Sequence, residues 1–156
     1  MNVYAAPISM DSANAHERLS VQKNLVSDLD MRGFQIVRDV RDVWNDEAVE
    51  DIDVFVADIT PGLAKPALAD AQKYDQDGSA YDAKLLENRF MALAQTAGKH
   101  ALFVAVAPTA VPPFMAVDET FGGEGKVWRA TVASGVQAQL ASWQFARQVL
   151  RRHGSV

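Results

Sequence analysis

At 156 residues, 49% of them hydrophobic and 22% charged, the chain fits one domain around one core, and this composition argues against disorder over most of the length. A formal net charge of −5 disfavours non-specific attachment to nucleic acid polymers or anionic membranes, so a small molecule is the expected partner. Cysteine is absent, which excludes disulfides, thiolate catalysis and Cys-based metal sites, and His16, His100 and His153 lack ligand spacing, so neither a metal nor a cofactor is expected.

The opening MNVYAAPISMDSANAHE has no charged region followed by a long apolar run, and no eighteen consecutive apolar residues occur anywhere. A cytoplasmic protein is the expectation. Asn2 to Ile8 reads as a buried first strand ending at Pro7 and Ser9. Asp11 to Met31 has helical composition, with Asn14 and Glu17 at capping-box spacing, and Leu19, Leu25, Val26 and Leu29 forming an apolar stripe. Gly33 should close that helix. Residues 34–37 form a second strand, and the polar stretch from Arg38 to Asp51 is expected to hold a short helix around Glu47 and Val49. Asp53 to Ile59 is the clearest strand, cut off by Thr60-Pro61-Gly62. A long connection over 61–79 leads to a helix from Ala80 to Ala97, closed by Gly98. A fourth strand spans 101–107, an irregular segment 108–125, a fifth strand 127–132, and a terminal amphipathic helix 136–152.

This order predicts an α/β chain: a single-domain, open, mostly parallel five-stranded sheet with helices on both faces, in the flavodoxin-like or Rossmann-like manner. Such sheets bind ligands beyond the carboxyl ends of their strands, where strand order reverses. The segments placed there are 6–11, 58–82 and 108–126, two of which are the long connections.

Candidate site residues follow from that placement. Asp82, in the first turn of its helix, shares the stripe of Leu86, Phe90, Leu93 and Ala97, so a carboxylate is aimed from a helix N-terminus toward the crevice. Its alternative role is to complement the helix dipole. Glu87, one and a half turns further on, is the second candidate, or else a surface partner of Lys84 or Arg89. Asp58 leaves its strand at the carboxyl end and serves either the ligand or the turn. Tyr4 either offers its hydroxyl to the crevice or fills the core, and Ser9 precedes a helix start where donors can meet an anion.

Three segments together resemble the nucleoside 2-deoxyribosyltransferase family and its nucleotide N-glycosidase relatives: Val3-Tyr4-Ala5-Ala6-Pro7-Ile8-Ser9, Asp51 to Thr60, and Asp77-Gly78-Ser79-Ala80-Tyr81-Asp82, followed by Gly98-Lys99 and ALFVAV. The resemblance runs from residue 3 to about 107. It implies that a carboxylate traps the anomeric carbon of a nucleoside or nucleotide as a sugar ester, after which water or a second base completes the reaction. It further implies that Tyr4 positions the nucleophile, Asp53 and Asp77 meet the base, and Ala6, Pro7, Ser9, Asp58, Gly78 and Ser79 line the substrate. A homo-oligomer is implied as well. The family's nucleophile is a glutamate, whereas the motif-matched residue is Asp82; counting back from Gly98-Lys99 lands nearer Glu87. Either residue serves, with Asp82 favoured, or the nucleophile is lost and the chain binds nucleotides without turnover. A receiver-like signalling domain would use Asp58-Ile59-Thr60-Pro61-Gly62 but would need acids where Ala6-Pro7-Ile8-Ser9 stands.

Overall fold

The computed structural model describes residues 1–12, 14–63, 79–107, 115–120 and 125–152. Its elements are β1 (Asn2–Ala5), α1 (Ala15–Met31), β2 (Gln35–Val37), β3 (Val54–Asp58), α2 (Thr60–Leu63), α3 (Ser79–Ala97), β4 (His100–Val106), β5 (Met115–Thr120), β6 (Lys126–Val132) and α4 (Gly135–Arg152). The strands form one sheet in the order β2-β1-β3-β4-β6-β5. The five expected strands are all parallel, as the alternation of strands and helices requires.

β3 explains why the sheet is covered on both faces. Its side chains alternate, so Val54 and Val56 join Val21, Leu25 and Leu29 of α1 and Phe145 and Val149 of α4 on one face. Phe55 and Ala57 join Phe90, Leu93 and Ala94 of α3 on the other. The Phe55 and Phe90 rings stack with centroids 4.6 Å apart. A strand buried on both sides reads as a continuous apolar run, and DVFVADI does so.

Three local expectations need correction. β5 lies within the stretch expected to be irregular, and pairs antiparallel with β6 at the sheet edge. Met115-Ala116-Val117-Asp118-Glu119-Thr120 carries two adjacent acids and no clean alternation, and an edge strand needs little apolar signal of its own. Residues 43–51 form successive turns instead of a short helix. There Asn45 accepts the Glu47 N–H on its side chain at 2.8 Å, competing with helical hydrogen bonding. Finally, α1 starts at Ala15 rather than Asp11, and Asn14 sits in the left-handed region at φ 56° with no side-chain cap, so the capping box does not form. Asparagine tolerates that conformation better than most residues. The closing glycines behave as expected: Gly33 and Gly98 have φ of 100° and 68°.

Candidate functional site

From β1 the chain crosses to β2 on one side, while β3 lies on the other, so strand order reverses between β1 and β3. A cleft of about 280 Å³ opens at their carboxyl ends. Pro7 and Ser9 reach it from the end of β1, Asp58 from the end of β3, Arg18 from α1, Trp44 from the turns before β3, and Asp82 from the first turn of α3. Four residues expected at the ligand therefore converge: Pro7, Ser9, Asp58 and Asp82.

The floor of the cleft is a connected polar network. Arg18, only 4% exposed, donates through Nε to Asp58 Oδ2 and through Nη1 to the Ser12 hydroxyl at 3.1 Å. Ser12 in turn donates to the Ser9 carbonyl. The other Asp58 oxygen accepts both the backbone N–H of Thr60, at 3.1 Å, and its hydroxyl. The Thr60 Oγ1 accepts the Val106 N–H at 2.9 Å, which ties the network to the end of β4. Asp58 thus caps its turn and neutralises Arg18 at the floor of the cleft. With both oxygens engaged, it is poorly disposed to serve as the phosphoacceptor of a receiver domain.

Asp82 differs. It is exposed, and among the described residues it has no hydrogen-bonding or ionic partner. Glu87 is not brought to the cleft. It is 5% exposed, with Arg129 Nη1 of β6 at 2.8 Å and Lys84 at 3.1 Å, so it anchors α3 to β6 rather than facing solvent. Arg129 also lies over the Phe103 ring, 5.0 Å from its centroid.

The remaining expectations divide by position. Asp53 precedes β3, at the end opposite Asp58, and its Oδ2 accepts the Asn2 N–H at 2.7 Å. Five residues of extended chain separate the two acids by roughly 16 Å, so Asp53 and the cleft do not meet. Ala6 is buried, donating to the Val56 carbonyl at 2.8 Å and accepting from Gln22 Nε2 at 3.0 Å; it fixes the turn after β1 without lining the cleft. Tyr4 is buried in the cluster that holds Phe55, Ala57 and Phe90, and it does not line the cleft. Burial pushes its phenol above the usual 10.0, keeping the hydroxyl protonated. Ser79 is the first residue of α3. Asp77 and Gly78 lie outside the described residues.

Two cleft residues escaped the sequence reading. Arg18 lies at positions i, i+3, i+7 and i+11 with the buried Val21, Leu25 and Leu29, so a charge on the apolar stripe of α1 was its available signal. Trp44 was detectable as a large aromatic within a polar loop preceding a strand. Among the described residues, no three His, Asp or Glu side chains cluster to hold a metal ion, and no helix is long and apolar enough to cross a membrane. No protein-family model, curated protein or solved structure matches the chain.

Proposed function

We propose that the cleft binds a nucleoside or nucleotide and that the protein cleaves or transfers at its N-glycosidic bond, with Asp82 as the nucleophile. One observation carries this reading: Asp82 stands in the cleft with no partner among the described residues, whereas Glu87 is bound to Arg129 elsewhere. In the first step an Asp82 oxygen bonds to the anomeric carbon as the carbon–nitrogen bond breaks, and the base departs with the electron pair and takes up a proton from solvent. In the second, water or a ring nitrogen of another base attacks the same carbon, its proton passes to solvent, and Asp82 leaves as carboxylate. The first turn of α3 is a favourable place for that negative charge. The Arg18–Asp58 pair ties α1 to the end of β3 beneath the proposed sugar position.

Binding without turnover is the second reading. It is favoured by the commitment of both Asp58 oxygens, which leaves Asp82 as the one cleft carboxylate unengaged among the described residues.

Incubating the protein with deoxynucleosides and their 5′-monophosphates, with and without a free acceptor base, and following base release by chromatography separates the two. Release that disappears in Asp82→Ala and persists in Glu87→Gln supports the glycosidase reading. Saturable binding with no release at high protein concentration supports the alternative.

A further inference from the structure

The most exposed tryptophan of the chain stands at the cleft, and the fold invests in holding it there. Trp44 is 52% exposed, in a protein where Trp128 is 7% exposed and packed in the core. Leaving an indole of this size in water forgoes the burial that ordinarily places it inside. The backbone around it is nonetheless fixed on both sides. The Trp44 N–H donates to Asp42 Oδ1 at 2.9 Å. Arg89 of α3 donates through Nε to the Val43 carbonyl and pairs through Nη2 with Asp46, each at 2.8 Å. Asn45 closes the following turn. Arg89 lies seven residues after Asp82, two turns along the same helix, so α3 carries the proposed nucleophile and also anchors the turn that brings Trp44 to the same cleft.

We propose that Trp44 is a stacking platform for a planar heteroaromatic ring, the base of a nucleoside, and that Arg89 is a positioning residue that holds it over the cleft. This rests on reading the cleft as a nucleoside site, and it adds the determinant that would select the ring rather than the sugar. An indole face accepts any base, because every base offers a π-face, so the platform grants affinity for planar rings with little preference among them. A backbone already fixed around the indole favours binding, since less conformational freedom remains to be lost.

The test is binding of the four deoxynucleosides by calorimetry and tryptophan fluorescence, with methyl 2-deoxyriboside as the ring-less control, in the intact protein and in Trp44→Phe, Trp44→Leu, Arg89→Lys and Arg89→Ala. Binding should quench the intact protein's fluorescence. Trp44→Leu should raise the dissociation constant for every deoxynucleoside by roughly 5- to 150-fold and leave that of the methyl riboside unchanged, while Trp44→Phe stays within about threefold. Where turnover is measurable, Arg89→Ala should raise KM more than it lowers kcat, and Arg89→Lys should recover most of that rise. Equal affinity in Trp44→Leu, an equal loss for the ring-less control, or no binding of any deoxynucleoside overturns the proposal. Trp44-dependent binding without base release leaves the platform standing and removes the glycosidase reading. Base release with unaltered KM in Trp44→Leu does the reverse.

Discussion

Replacing Arg18 with methionine removes one member of an ion pair whose side chains are 4% and 5% exposed, and strands the Asp58 carboxylate at the junction of β1, β3 and β4. Breaking a buried pair from one side costs roughly 3–5 kcal/mol, because the remaining charge loses its partner without regaining water. Here Asp58 keeps the two Thr60 hydrogen bonds, which places the loss at the lower end, about 3 kcal/mol. In a chain of this size that corresponds to a fall in Tm of roughly 6–12 °C. Adding Asp58→Asn to Arg18→Met removes the stranded charge, and the double variant should recover more than half of the loss. Urea unfolding followed by far-UV circular dichroism measures all three variants, provided the slopes agree. A loss below about 1 kcal/mol in Arg18→Met, or a double variant no more stable than Arg18→Met, would show that the Asp58 charge is not stranded by loss of Arg18.

Further expectations concern the supports of the cleft. A methyl group on Gly125 would lie 1.9 Å from the Ala94 carbonyl oxygen, so Gly125→Ala must push β6 from the end of α3, and thermal unfolding should show a loss of about 2 kcal/mol or more. Glu87→Gln keeps a hydrogen bond to an Arg129 that is itself 26% exposed; unfolding should register a loss near 1 kcal/mol, and ligand affinity should not change. Tyr4 ionises above 10.0 in the folded state because burial disfavours its anion. Its contribution is therefore complete below pH 10 and lost as pH rises through the folded value, so Tyr4→Phe should flatten the alkaline decline in stability, as read by denaturation at pH 9 to 11.

Most of the sheet was legible because parallel strands are buried on both faces and announce themselves as apolar runs. β1, β3 and β4 carry that signal in NVYA, VFVAD and HALFVAV. β5 does not, since a strand paired on one side can carry acids and still be held by β6. The site was legible only in part, for a similar reason. Asp82 and Asp58 could be placed by counting along one helix and one strand. Lys84 could be read as a partner of Glu87 from its spacing, but Arg129 could not, because it comes from a strand 42 residues away and nothing local to α3 indicates it. Asp53 matched a motif by sequence, yet strand direction carries it to the far end of the sheet. Arg18 was readable from α1 alone, but its meaning required knowing that Asp58 points to the same face as Val54 and Val56.

The measurement that bears most directly on the proposed chemistry is covalent trapping. The protein is incubated with a 2-deoxy-2-fluoro nucleoside, in which the electron-withdrawing fluorine slows release of the sugar from the enzyme, then quenched with acid and mapped by peptide mass spectrometry. Attachment of one fluorosugar to Asp82, with release of one equivalent of base and no adduct in Asp82→Asn, is the expected result. Base release without an adduct, or an adduct carried by Glu87 or any other residue, would contradict the assignment of Asp82 as the nucleophile.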